Sequence, residues 1–340
     1  MLFRSTGSLL NSPWGLAIAP ATFGKFANDL LVGNFGDGLI NAYDPATGAF
    51  AGTLQDPSGN NIAIPGLWAL IFGNGGSGGD KDTLYFTAGP GGQKHGLLGS
   101  ISANPNPLSI VNAAQVTAGV AANTYVTIKG NNLAATKRSW TAADFGATGT
   151  ALPTSLDGVS VTLNGEPAYI MYISPLQINL LAPVDLPATG RITVQVTNGT
   201  LTGSTIDVTP QAVAPSFFLF DTSHIAATHA DGSYIGTATS VPVGTPAAPG
   251  ELVVLYGNGF GATNPPAING QILAGVAPMV QTPTISFNGI NGSVVWSGLS
   301  ATGLYQFNVT IPSNGADGEV VVLATTMGIT APQAVLTIGQ

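Results

Sequence analysis

Cysteine is absent from this chain of 340 residues. That excludes disulfides, iron–sulfur clusters and thiolate metal sites, and leaves the redox compartment open. Charge is almost as scarce: 7% of the residues are Asp, Glu, Lys or Arg, against roughly 25% in an ordinary globular protein. There are 8 basic and 16 acidic residues, for a net charge of −8. The only close basic pair is Lys137-Arg138, too little to neutralise a run of phosphates. Nucleic acid is therefore excluded as a partner and an anionic membrane surface is disfavoured. No segment reaches the ~18 apolar residues of a membrane-spanning helix, which argues against membrane insertion. Met1-Leu-Phe-Arg-Ser-Thr-Gly7 carries an Arg but no apolar stretch follows, so no signal peptide is visible. Helical periodicity is almost missing, with room for one short turn in Ser139-Trp-Thr-Ala-Ala-Asp-Phe145. A surface so poor in Lys and Glu has little repulsion to keep sheet edges apart, which points toward association or, equally, toward a crystalline or protease-resistant exterior.

Glycine (46) and proline (24) are abundant while hydrophobic residues make up 44%. That combination calls for many short strands and tight turns, not disorder. Part of the chain is duplicated. Tyr125-Val-Thr-Ile-Lys-Gly130 returns as Leu252-Val-Val-Leu-Tyr-Gly257, and Val159-Ser-Val-Thr-Leu-Asn-Gly165 as Pro283-Thr-Ile-Ser-Phe-Asn-Gly289. Leu176-Gln-Ile-Asn179 returns as Tyr305-Gln-Phe-Asn308. The offsets are 127, 124 and 129 residues, and a period above a hundred means tandem domains, not a solenoid. Alternation at Val159, Val161 and Leu163, and at Ile192, Val194 and Val196, marks half-buried strands. Asn-Gly pairs at 164–165, 198–199, 288–289 and 291–292 mark type I′ hairpins. About seven such strands per hundred residues is the pattern of an immunoglobulin-like sandwich. Ahead of them, short strands with a weaker echo fill residues 12–101, broken by turns such as Asp44-Pro-Ala-Thr-Gly48. Their spacing fits about two β-propeller blades, fewer than the roughly four to eight of a closed ring. The chain thus reads as all-β: a propeller-like fragment over 1–101, a Pro-punctuated linker over 102–108, and immunoglobulin-like β-sandwich repeats over 109–213 and 214–340.

Two resemblances arise from these residues. Asn11-Ser-Pro-Trp-Gly-Leu-Ala-Ile-Ala-Pro20, Leu30-Leu-Val-Gly-Asn-Phe-Gly-Asp-Gly38 and Asn41-Ala-Tyr-Asp-Pro-Ala-Thr-Gly48 resemble the last part of a family of uncharacterised bacterial secreted β-propeller proteins. Val111-Asn-Ala-Ala114, Tyr172-Ile-Ser-Pro-Leu-Gln-Ile-Asn179, Ala227-Thr-His-Ala-Asp-Gly232 and Leu255-Tyr-Gly-Asn-Gly-Phe-Gly261 resemble the tandem C-terminal module of acidobacterial, Solibacter-type secreted proteins, whose halves look like TIG-type immunoglobulin folds. The resemblance implies an extracellular or cell-surface setting. It carries no activity, so it transfers no catalytic residue.

Motifs that bear chemistry are sparse. Gly75-Gly-Ser-Gly-Gly79 fits the G-x-S-x-G of a hydrolase nucleophile, but strands flank it and no helix follows. The overlapping Gly73–Gly78 run fits G-x-G-x-x-G and fails for the same reason. Asp80 and Asp82 close this loop as candidate calcium ligands, on a partial match to a G-G-x-G-x-D nonapeptide. His224 and His229 lie close to Asp231, but their odd separation puts them on opposite faces of a regular strand, which disfavours a shared metal. Glu166, Glu251 and Glu319 read as solvated hairpin ends. Among the aromatics, Trp14 and Trp68 read as core, while Trp140 and Trp296 are candidates for stacking on a glycan or burying at an interface. The run Phe217-Phe-Leu-Phe220 reads as packing at the junction of the two sandwiches. Gln177 and Asn179, recurring as Gln306 and Asn308, read as side chains bonding to backbone to stop strand extension.

The functional expectation is a non-enzymatic extracellular structural or adhesive protein, working without a cofactor unless calcium binds. Its chains associate as a homo-oligomer or homopolymer at the cell surface, with a fibre built by strand addition as one route. The segment Met1–Leu10, through Met1, Leu2, Phe3, Leu9 and Leu10, is the candidate donor strand. A glycan-binding surface module is the alternative, and a hydrolase or lyase with a propeller head the third.

Overall fold

Short polar turns cut this chain before strands can lengthen. In the computed structural model, which describes residues 9–56, 59–115, 117, 119–237, 244–314 and 317–339, the Asp44 carboxylate accepts the N–H groups of Ala46 (2.7 Å) and Thr47 (2.9 Å). Gly48, at φ 75°, then returns the chain into the next strand. Asn164-Gly165 and Asn288-Gly289 have positive φ at both residues, the geometry a two-residue I′ hairpin demands. Asn291-Gly292 does not turn. Neither residue has a positive φ, and Ile290–Asn291 pairs back on the strand before it. The hairpin there is already made by Asn288-Gly289.

The chain divides into two compact units, Met1–Asn106 with Asn131–Ala135 and Thr197–Ser204, and Pro107–Gly130 with Thr136–Val196 and Thr205–Gln340. The first unit holds two antiparallel meanders. Strands β1 (Pro13–Ile18), β2 (Leu30–Asn34), β3 (Ile40–Tyr43) and β4 (Phe50–Thr53) lie side by side in chain order, as do β5 (Leu67–Phe72), β6 (Thr83–Ala88) and β7 (Leu97–Ser102). The sheets stack face to face. Leu31, Ile40 and Ala42 of the first meet Leu67, Leu70 and Leu84 of the second in one buried cluster, with Phe23 and Phe26 at its border. The two sheets each cover one face of the other.

In the first sandwich, β8 (Asn106–Asn112), β9 (Tyr125–Asn131), β15 (Gln177–Leu181), β14 (Tyr169–Ser174) and β10 (Arg138–Ser139) form one sheet in that spatial order. The facing sheet runs β11 (Ser155–Leu156), β12 (Val159–Leu163), β16 (Ile192–Asn198) and β17 (Leu201–Val208), with β13 (Glu166–Pro167) on β12. In the second sandwich the order is β18 (Ser216–Phe217), β20 (Leu252–Asn258), β25 (Leu304–Thr310), β24 (Ser293–Ala301) and β21 (Ala277–Pro278), with β19 (Ala227–His229) also on β20. Facing it are β23 (Ile290–Asn291), β22 (Thr284–Phe287), β26 (Gly318–Thr326) and β27 (Ile329–Thr330), with β28 (Ala334–Ile338) on β26. The duplicated sequence has become a duplicated topology: β9, β15 and β14 are answered by β20, β25 and β24. Val159, Val161 and Leu163 are buried as their alternation requires, and so are Ile192, Val194 and Val196.

The duplication also explains the paired Gln and Asn residues. Gln177 Nε2 donates to Asn179 Oδ1 (2.7 Å), and Gln306 Nε2 donates to Asn308 Oδ1 (2.8 Å). The bonds run side chain to side chain and not, as the sequence reading has it, to backbone. Residues two apart on a strand share a face, so the two amides stand next to each other. The one short turn expected near residues 139–145 is present as Ala142–Asp144, closed by a capping box with Thr141. Its Asp144 also takes a two-pronged contact from the Arg138 guanidinium, both arms at 2.9 Å. Those bonds, with the Thr141 N–H, hold the Asp144 carboxyl well below its ordinary range.

Phe217 does not pack between the sandwiches. It is buried inside the second one, with ring centroids 5.7 Å from Phe260 and 6.0 Å from Phe307, while Phe220 is partly exposed against Tyr234. Strand alternation sends neighbouring aromatics to different surroundings. A polar pair joins the sandwiches instead. Asn258 Oδ1 accepts the Tyr125 N–H (2.9 Å), and its Nδ2 donates to Tyr125 O (2.7 Å) and to Asn112 Oδ1 (3.1 Å). Asn112 Nδ2 donates in turn to Ala214 O (2.7 Å). Both asparagines are buried, and every bond crosses from one repeat to the other.

Candidate functional site

Alternation along β1 sends Gly15 and Ala17 inward and leaves Trp14, Leu16 and Ile18 outward. These three are 72%, 62% and 57% exposed. Cross-strand partners share a face, so Leu16 stands beside Val32, and Ile18 beside Leu30 and Tyr43. Leu10, Pro13, Trp14, Leu16, Leu30 and Val32 shape an apolar groove of about 250 Å³ on this outer face. Single exposed hydrophobics are ordinary; a row along one strand over a groove is a candidate interaction surface. The core assignment of Trp14 is therefore wrong. Trp68, read as core with it, is 40% exposed. The sequence shows the alternation but not which face the neighbouring sheet covers, and Gly15 is what lets the second sheet approach on the opposite side.

Leu9 and Leu10 lie at the rim of this face. The Leu9 carbonyl accepts the side-chain amides of Asn34 (2.9 Å) and Asn41 (2.6 Å), both buried. The chain thus ties its own Leu9 to the sheet. Met1, Leu2 and Phe3, named with them as donor-strand residues, lie outside the described residues. Trp140 is half-buried against Phe145, 5.2 Å between centroids, beside Leu152 and Tyr169. Trp296, on β24, is also half-buried and lies along its own strand toward Gly298.

A second concavity in the first unit is polar. Asp80, Ser100, Asn104, Asn106, Asn131 and Ser204 line a cleft of about 400 Å³. The glycine loop before it is a closed turn: Asn74 Oδ1 accepts the N–H groups of Gly76 (2.9 Å) and Gly78 (3.1 Å), and Gly79 abuts the Tyr85 ring. Asp80 Oδ1 accepts the Asp82 N–H at 2.8 Å, whereas the Asp82 carboxylate takes the Thr22 hydroxyl. The two candidate calcium ligands thus have separate partners. Among the described residues no group of three or more His, Cys, Asp or Glu side chains is placed to hold a metal ion.

Two of the histidines pair with two of the glutamates. His224 Nδ1 meets Asp221 (2.7 Å) and its Nε2 meets Glu319 (2.9 Å), while His229 Nδ1 meets Glu251. Glu251 also accepts the Ala248 N–H (2.7 Å), and Glu319 the Thr337 hydroxyl (3.0 Å). Glu251 and Glu319 are structural partners, not merely solvated hairpin ends. The 95 residues between His224 and Glu319 hide that pairing from the sequence. Burial alone would lower the His224 imidazolium, but the two ring contacts outweigh it and the net shift is upward. Burial would raise Asp221, yet the backbone N–H groups of His224 and Ser223, with the His224 ring, bring it down to about 2.

The linkage follows in sign. A raised histidine contributes stability that is full below its unfolded value near roughly 6.5 and is lost as pH rises through the folded value. The lowered Asp221 contributes above its unfolded value and is lost as pH falls through about 2. Thermal melts followed by circular dichroism between about pH 5 and about pH 9 should show a midpoint that declines on the alkaline side. His224→Gln should flatten that decline; an unchanged slope would remove His224 from the account.

Comparison with known proteins identifies residues 109–209 as an IPT/TIG domain. Over 99 residues the chain is 38% identical to uncharacterized protein R648 of Acanthamoeba polyphaga mimivirus, and over 99 residues it is 37% identical to uncharacterized protein L690 of the same virus. These stretches are 29% of this chain and 23% and 25% of the relatives, so the chain spans about a quarter of the length of the curated relatives it matches. Among solved structures, the Bacteroides ovatus mixed-linkage glucan utilization locus SGBP-B, in complex with a mixed-linkage heptasaccharide, superposes with TM-score 0.31 at 10% identity. That match covers 83% of this chain and 58% of the other. The plexin A4 extracellular region superposes with TM-score 0.24 at 12% identity, over 93% and 23% of the two chains.

Proposed function

We propose that this is a non-enzymatic extracellular structural protein whose chains associate with one another at the cell surface. The observation that carries this proposal is the uncovered row of Trp14, Leu16 and Ile18. Burying one such side chain fully is worth about 1.5–3 kcal/mol, so a surface that covers the row is strongly favoured. A chain with 7% charged residues has little repulsion to oppose that contact. The paired sandwiches, welded through Asn112 and Asn258, suit the role of a stiff spacer, and their edge strands leave strand addition into a fibre open as a route. The extracellular setting rests on the sequence resemblance to secreted modules, and no cofactor is needed for any of this. Size-exclusion chromatography with light scattering at micromolar concentration tests it. The expected mass is a multiple of the 34.1 kDa chain and should persist in high salt, because apolar contacts are not screened. A single-chain mass throughout would overturn the proposal.

A second use, glycan binding, is supported by the polar cleft. Its carboxamides and hydroxyls offer paired donors and acceptors to neighbouring hydroxyls of a sugar. A glycan array tests it, with Asn106→Ala as the control that should erase any signal.

A further inference from the structure

We infer that the exposed β1 row on the outer side of the β1–β4 sheet takes the outer face of the β5–β7 sheet of a second copy, head to tail. This rests on the self-association proposed above and adds to it the two surfaces that meet.

The second sheet is also uncovered on one side. Leu70, Leu84 and Phe86 point toward the first sheet, so their strand neighbours point away. Ile71 pairs with Tyr85, and Leu98 with Thr87, which places Ile71 and Leu98 on the outer face, 66% and 73% exposed. One molecule therefore carries two unlike apolar patches on opposite sides of a stacked pair; on the first sheet the patch is the β1 row, since Val32, Asn41 and Tyr43, which face the same way on β2 and β3, are already buried.

Three observations favour a second copy as the occupant. The chain already shows what covers such a face, since the inner side of β1–β4 is covered by a β5–β7 sheet. Repeating that step between molecules sets Trp14, Leu16 and Ile18 against Ile71 and Leu98. Next, the outward positions of β1, β2, β5, β6 and β7 are all uncharged, so no ion must be desolvated. Finally, a two-fold contact between two β1–β4 faces would cover Trp14 but leave Ile71 and Leu98 in water, whereas the head-to-tail contact covers both sets. Such a heterologous contact closes into a ring when its rotation allows. Propellers close at roughly four to eight sheets, so about two to four copies of a two-sheet unit would complete one.

The test uses complementation in the full chain. Leu16→Asp and Ile71→Asp each disable one face at an exposed position, and circular dichroism melts matching the wild type confirm that folding is kept. The expected result is that each variant alone runs at the single-chain mass, while an equal mixture runs at twice that mass. The mixture works because each variant retains the intact face that the other needs. Because the chain lacks cysteine, the contact can also be trapped. Leu16→Cys mixed with Ile71→Cys should cross-link on oxidation, and neither should do so alone. If Leu16→Asp abolishes association while Ile71→Asp leaves it intact, the contact is two-fold and the head-to-tail inference is overturned. If the wild type associates and neither variant changes its mass, the inference also fails, but self-association stands. A wild type that is monomeric at every concentration overturns both.

Discussion

Replacing Asn258 by alanine should lower the stability of the tandem sandwiches by about 3 kcal/mol and separate their unfolding into two transitions. The side chain is buried, and its three bonds reach the Tyr125 N–H, the Tyr125 carbonyl and Asn112 Oδ1. Truncation leaves the Tyr125 N–H without its acceptor, at about 1–3 kcal/mol for a buried unpaired group. It also opens a void at the point where the repeats meet. Asn112 Oδ1 keeps the Ala114 N–H (2.8 Å) and the Tyr125 carbonyl keeps the Ala113 N–H (2.9 Å), which is why the loss stays well below three full penalties. Asn258→Asp is the sharper variant. It preserves shape and can still accept from the Tyr125 N–H, but it cannot donate. Its second oxygen would then face a carbonyl and an amide oxygen, and a buried charge facing acceptors is worse than a void. Differential scanning calorimetry of both variants checks the ordering: wild type above Asn258→Ala above Asn258→Asp. A single unshifted transition in Asn258→Asp would show that the amide does not join the repeats. Other contacts between them, among them the Leu152 N–H to Gly270 O (2.8 Å), the Ile272 N–H to Thr150 O (2.8 Å), the Tyr125 hydroxyl to Thr302 O (2.9 Å) and the Tyr169 hydroxyl to Asn269 Oδ1 (2.9 Å), lie elsewhere and do not replace the lost buried amide.

That pair also shows where the sequence was readable and where it was not. The duplication, the alternating strands and the Asn-Gly turns at 164–165 and 288–289 are local signals, and each became the element it announces. Tyr125 and Leu252 begin equivalent strands, and the repeat offset alone places β9 opposite β20 in the two sandwiches. Asn112 and Asn258 both sit inside quoted motifs, yet they are 146 residues apart. Nothing in either motif says that the two amides meet. His224 with Glu319 is hidden in the same way. The Gln-x-Asn ladder was within reach, because a period of two puts both amides on one face; what was missing was the step from shared face to shared bond. The exposed apolar row was harder still. Trp14, Leu16 and Ile18 alternate with Gly15 and Ala17, and alternation alone does not tell which set is wet. Aromatic content argues that the tryptophan side is inside. Close approach argues the reverse, since a second sheet comes nearest where side chains are smallest, and in this unit close approach wins.

The same close approach gives the other large effect. Gly15→Ala should unfold the stacked pair of sheets while leaving the two sandwiches intact. A methyl group at Gly15 would lie 2.6 Å from the Trp68 carbonyl oxygen and 3.0 Å from the Leu70 nitrogen. Both are backbone atoms of β5, so no side chain can swing aside, and the strands themselves must separate. Overpacking typically costs about 1–3 kcal/mol where side chains can adjust, and a clash with backbone belongs at or above the upper end. Gly33 is the informative neighbour. A methyl there would meet Leu67 Cδ2 at 2.8 Å and Leu70 Cδ1 at 3.1 Å, which are ends of side chains, so Gly33→Ala should cost less. Separating the sheets wets Leu31, Leu67 and Leu84, all buried in the shared cluster. Dye binding to exposed apolar surface should rise, and limited proteolysis should cut within residues 9–102 before it reaches the sandwiches. Association should fall with it, because both outer faces depend on the stacked pair for their shape. If Gly15→Ala melts like the wild type and still associates, the two sheets are not held by this contact, and the row on β1 owes nothing to the sheet behind it.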